Sequence, residues 1–154
     1  MLYLFILGFA AYWASNLLLW FPWSYSTGLG ITLMLTLAPI LWAYVTFLAL
    51  RTYPKTKPLN GALKIALIFL LLAVVMDYIF FGIIRNAMKQ LYHPTTFYGY
   101  GFLICLPIVI ALFFKRKIVR LKKEMTISDI IKAGMSGIAS LVILTSIIIL
   151  GIEI

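Results

Sequence analysis

The chain has 154 residues, 64% of them hydrophobic, with 13 Lys or Arg against 4 Asp or Glu. A soluble domain is about 45–50% apolar and about 25% charged, so a chain with 11% charged residues cannot clothe a water-facing surface. Disorder is excluded as well, because it requires low hydrophobicity. The composition is that of an all-α integral membrane protein, and the expectation is a single membrane domain over residues 1–154, multi-pass in the cell membrane.

A helix needs about 20 apolar residues to cross the hydrocarbon. Five stretches meet that length, and their apolar runs do not alternate as barrel strands would. Span 1 covers 2–20, interrupted by Ser15 and Asn16. It lacks a basic leader and ends on the aromatic run Trp20, Phe21, Pro22, Trp23, so it reads as a retained helix rather than a cleaved signal. A turn led by Pro22 is expected over 21–27. Span 2 covers 28–50 and contains Pro39, which should kink it and free a carbonyl. The basic loop 51–62 holds Pro54, Pro58 and Asn60-Gly61, residues that break helices. Span 3 covers 63–84, with Asp77 inside it; loop 85–96 follows. Span 4 covers 97–114 and contains Pro107. The second basic loop, 115–132, includes Thr126-Ile-Ser-Asp129, which resembles a capping box. Span 5 covers 133–152.

With five crossings, alternate loops fall on alternate sides. Eleven basic residues then share one side: Arg51, Lys55, Lys57 and Lys64, with Lys115, Arg116, Lys117, Arg120, Lys122, Lys123 and Lys132. Only Arg85 and Lys89 lie opposite. The positive-inside rule places the eleven, and the N-terminus, in the cytoplasm, and the C-terminus outside. Trp20, Trp23, Tyr98 and Tyr100 then fall at the outer interface, where amphipathic rings are favoured. The net charge of +9 therefore does not point to nucleic acid. The cluster Lys115, Arg116, Lys117, Arg120, Lys122 and Lys123 serves as a topology determinant, and its sharper reading is contact with anionic lipid headgroups. Ile118, Leu121 and Met125 are spaced for an interfacial helix.

Asp77 is the only acid within a span. A charge near the bilayer centre costs about 2.5–3.5 kcal/mol on insertion scales, and such residues face the bundle interior or water. It sits about 10 Å from the outer end of span 3. At a comparable depth the other spans offer Asn16, Thr32 and Thr36, Cys105, and Thr145 and Ser146. These residues define a candidate outward-opening polar pocket of Asp77, Asn16, Arg85, Thr36, His93 and Tyr98. Two plainer readings compete with it. Ser and Thr bond their own helix backbones, and Asn16 bonded to Asp77 would be ordinary helix glue. Arg85, eight residues after Asp77, falls on roughly the same helical face but about 12 Å away along the axis, too far for an easy direct bond.

Chemistry-bearing patterns are sparse. His93 is the single histidine and cannot build a zinc site alone. Cys105 is the single cysteine, so no intramolecular disulfide forms. HExxH, GxSxG and phosphate-loop motifs are absent, and no second acid accompanies Asp77 for paired carboxylate work. No metal or cofactor is expected. Small residues mark packing surfaces at Ala133/Gly137, Ser136/Ser140 and Ala11/Ser15. The expected function is that of a small multipass protein without enzymatic activity, an accessory or interaction protein working through helix packing, with itself or another membrane protein as partner. The alternative is a small carrier or ligand-binding protein built around Asp77, and a third reading is a lipid-modifying enzyme.

Overall fold

The computed structural model describes residues 2–53, 58–122 and 124–151. Five of its helical stretches are long and apolar enough to cross a membrane: Leu2–Tyr25, Thr27–Thr52, Pro58–Ile84, Pro94–Phe113 and Ile127–Ile149. Among the described residues no strand occurs.

The first stretch is α1 (Leu2–Tyr25). It runs through Pro22, and the turn expected over 21–27 shrinks to Ser26. The Pro22 carbonyl still accepts from Ser26 N–H at 2.9 Å, so the ladder resumes beyond the ring. Ser26 caps α2 (Thr27–Leu35), its hydroxyl accepting from Leu29 N–H at 3.4 Å. The two helices meet tightly because residue 30 has no side chain: a Cβ on Gly30 would lie 2.7 Å from the Trp23 ring.

The break expected from Pro39 falls at Thr36, between α2 and α3 (Leu37–Thr52). Proline lacks the N–H that would bond the carbonyl four residues back and collides with that carbonyl, which here belongs to Leu35, the last residue of α2. Pro107 has no such effect; α6 (Pro94–Phe113) is continuous across it.

Pro58, Asn60 and Gly61 do not break a helix. They begin one: α4 (Pro58–Asp77) starts on Pro58, where a missing N–H costs nothing. Pro54, Lys55 and Lys57 of the same loop lie outside the described residues. After Asp77 the helix widens into a π-helical segment, Tyr78–Ile84, in which Arg85 N–H donates to the Phe80 carbonyl five residues back at 2.9 Å. The loop expected over 85–96 is shorter, since it contains the four-residue α5 (Met88–Leu91) and α6 begins at Pro94.

After α6 comes α7 (Lys115–Arg120), then α8 (Ile127–Ile149). The capping box is present. Asp129 N–H donates to Thr126 Oγ1 at 3.2 Å, and Thr126 N–H donates to Asp129 Oδ2 at 3.3 Å. Capped there, α8 begins six residues before the expected start of span 5; the expected end at Ile152 lies outside the described residues.

Pairings across the bundle give the directions. Gly134 meets Ile6 and Gly137 meets Phe9 and Ala10, so α1 and α8 run parallel. Gly8 meets Phe69 and Trp20 meets Phe80, so α1 and α4 are parallel as well. Trp42 meets Phe69 and Tyr53 meets Gly61, so α3 runs opposite to α4. Tyr100 near the start of α6 meets Asp77 at the end of α4, while Ile118 just beyond α6 borders one cavity with Gly61 at the start of α4, so α6 runs opposite to α4 as well. The five stretches therefore alternate in direction. One end of the bundle gathers Arg51, Lys64, Lys115, Arg116, Lys117, Arg120, Lys122 and Lys132, while Arg85 and Lys89 lie at the other.

Trp13, Ile65, Phe69, Phe80 and Leu144 are fully buried at the centre. Trp13 has edge-to-face contacts with Tyr12 and Phe80, and Trp42 with Phe69. Such pairs add about 0.5–1.5 kcal/mol beyond area burial. The α1–α8 seam uses Gly137 and Ser140, both buried, whereas Ser136 faces outward.

Candidate functional site

Asp77 ends α4 and is buried, 9% exposed. Both carboxylate oxygens accept a hydrogen bond. Tyr12 of α1 donates its hydroxyl to Oδ1 at 2.5 Å, and Tyr100 of α6 donates to Oδ2 at 2.7 Å. Three stretches remote in sequence thus converge on one acid. Tyr12 is itself buried and Tyr100 half-buried. A carboxyl group in apolar surroundings costs free energy unless its oxygens are partnered, and the two phenols supply partners while placing their rings against the core.

The residues expected around Asp77 are distributed differently. Asn16 is half-buried, and its side-chain amide donates to the Tyr12 carbonyl at 3.1 Å, so it steadies the turn that carries Tyr12. Thr32 and Thr36 are exposed and each bonds back to its own helix, Thr32 to the Gly28 carbonyl at 2.9 Å and Thr36 to the Thr32 carbonyl at 2.7 Å. Cys105 and Ser146 are also on exposed faces. His93 is exposed and caps α6, with Nδ1 2.9 Å from Thr95 Oγ1 and accepting from Thr95 N–H at 3.4 Å. Tyr98 is 73% exposed. None of Thr36, His93 or Tyr98 is brought to the acid.

Arg85 engages another set of groups. Its guanidinium lies 4.9 Å from the Trp20 ring and 5.8 Å from that of Phe80, and Nη1 donates to Gln90 Oε1 at 2.5 Å. The π-helical turns account for this. Seven π-helical residues separate Asp77 from Arg85, so a facing reckoned from α-helical spacing does not apply to the pair.

The tyrosines are what reading the sequence by polarity overlooked. Tyr12 sits mid-span and eight residues before Trp20, close to the depth of Asp77 below Ile84. Tyr100, expected at the outer interface, is the seventh residue of α6. A hydroxyl-bearing ring at the depth of a lone acid was the available signal.

Chemically, the triad holds one acid and two phenols with their hydrogen bonds spent on each other. Among the described residues no three His, Cys, Asp or Glu side chains come together as a metal site would need. The basic residues Lys115, Arg116, Lys117, Arg120 and Lys122 are exposed on and after α7, while Ile118 turns inward, 4% exposed; Lys123 lies outside the described residues. Compared with protein-family models, curated proteins and solved structures, the chain matches none.

Proposed function

We propose that the chain crosses the plasma membrane five times with its basic end in the cytoplasm, and acts without catalysis as an accessory or interaction protein through helix packing. The charge asymmetry between the two ends supports the orientation. The observation that carries the packing role is the bonding of Asp77: both oxygens are taken by Tyr12 and Tyr100, so the one interior acid is spent on joining three helices. Of the residues expected to line a carrier pocket beside it, Thr36, His93 and Tyr98 lie on exposed faces instead. The parallel α8 packs principally on α1 and leaves Ile131, Met135, Ile138 and Val142 exposed, an apolar face open to lipid and to a partner helix.

A hydrophobic carbodiimide tests the role of Asp77. In the packing reading, Asp77 in membranes resists modification and Asp77→Asn still yields folded protein. Rapid, pH-dependent modification would favour the carrier alternative. Photocrosslinkers placed at Met135 and Val142 test the interaction role. A discrete protein adduct, with a second copy or another membrane protein, is the expected result; lipid adducts alone would count against it.

A further inference from the structure

At the basic end of the bundle, a cavity of about 150 Å³ opens between the end of α3, the start of α4 and α7. Its lining includes Leu50, Arg51, Tyr53, Gly61, Ile118 and Lys122. Arg51 is positioned rather than loose: its Nε donates to the Leu121 carbonyl at 2.5 Å, and its guanidinium lies 5.8 Å from the Phe47 ring. Lys122, two residues beyond the end of α7, lines the cavity together with the buried Ile118. The Tyr53 ring closes on α4 at Gly61, where a Cβ would lie 3.0 Å from it. The first turn of α4, from Pro58 to Gly61, borders the space and adds the positive end of a helix. Among the described lining residues there are two cations and no acid, and the wall is otherwise largely apolar.

We propose that this cavity binds the phosphate of an anionic phospholipid headgroup, with Arg51 and Lys122 as its cationic partners. The inference rests on the membrane reading above and deepens it, because it separates a seated guanidinium, Arg51, and the Lys122 ammonium at the cavity rim from the basic residues of α7 outside the cavity, which attract lipid only diffusely. A guanidinium fixed at Nε presents its remaining donors in a planar fork suited to phosphate oxygens. The apolar lining suits the glycerol backbone and the start of the acyl chains, and the ends of α3 and α4 put the cavity at headgroup height.

The test measures lipid retention by native mass spectrometry of the full chain in detergent, with phosphatidylglycerol against phosphatidylcholine. Wild type should retain phosphatidylglycerol preferentially. Arg51→Gln and Lys122→Gln should each weaken that preference about tenfold, the loss of one hydrogen bond between charged groups. Lys115→Gln with Lys117→Gln, outside the cavity, should change it less than either. Arg51→Lys guards against misfolding, since it keeps the charge, and should retain part of the preference. Equal preference in wild type and Arg51→Gln, or an equal loss in the α7 control, would overturn the site. Inorganic phosphate that abolishes lipid retention at millimolar concentration, with the same dependence on Arg51, would keep the anion site and overturn the lipid as its occupant. Resistance of the protein to carbonate extraction from membranes is scored on the same variants. Wild type that stays in the membrane yet shows no preference for phosphatidylglycerol then counts against the cavity alone, and extraction of wild type counts against the membrane reading.

Discussion

Tyr12 and Asp77 stand 65 residues apart in sequence and are joined side chain to side chain at the centre of the bundle. With Tyr100 on the other carboxylate oxygen, the bond ties α1, α4 and α6 at one point. Tyr12→Phe and Tyr100→Phe should each lower stability by about 0.6–1.7 kcal/mol, the range for hydrogen bonds between membrane helices. Asp77→Leu should cost more, because it strands two phenolic hydroxyls at once, while Asp77→Asn keeps an acceptor for one of them. Unfolding in mixed detergent micelles measures the series. An Asp77→Asn protein less stable than Asp77→Leu would contradict this account.

Gly137 admits no larger residue without moving a helix. A Cβ there would lie 2.7 Å from the Phe9 ring and 2.9 Å from the backbone Cα of Ala10. The ring can turn, but the backbone cannot. Gly137→Val should destabilise by about 1–3 kcal/mol, as overpacking does, and should lower the yield of a disulfide engineered between α1 and α8. Gly134→Ala, with its nearest neighbour 3.7 Å away, should be tolerated in the same assay.

The start of α8 depends on its cap. Thr126→Ala should cost about 0.5–2 kcal/mol locally. Hydrogen exchange should quicken at the amides of Ser128 to Ile130 and remain slow at Leu144, which is fully buried. Uniform acceleration along the helix would mean that the cap serves the whole helix rather than its first turn.

Orientation is testable with reporters. A fusion after Ile154 should be active only if the reporter works outside the cytoplasm. Neutralising Lys115, Arg116, Lys117, Arg120, Lys122 and Lys123 together should give mixed orientation or poor insertion. Unchanged orientation would show that the order of hydrophobic segments fixes it alone.

The five long helices were legible because each is an apolar run of sufficient length, and that property survives any packing. The capping box was legible because it is local: Thr126 and Asp129 need only each other. The partners of Asp77 were not. Depth can be counted along a helix at 1.5 Å per residue, but the direction a residue faces cannot be read when lipid-facing and core-facing surfaces are equally apolar. Tyr12 and Tyr98 illustrate this; one is buried at the acid and the other exposed, and their local sequences do not say which. Proline marks a helix end ambiguously, since Pro58 opens α4 and Pro22 lies within α1.

The widened segment from Tyr78 to Ile84 also bears on how the chain tolerates changes in length. A π-helical stretch holds a surplus of backbone relative to an α-helix of the same rise. It therefore works as slack between two fixed points, the acid at residue 77 and the Trp20-stacked guanidinium at residue 85. A one-residue deletion within that slack can be taken up by tightening to α-helical turns, leaving both anchors near their places. The same deletion in the tight stretch from Ile65 to Leu72 would rotate everything beyond it, including Asp77 away from Tyr12 and Tyr100.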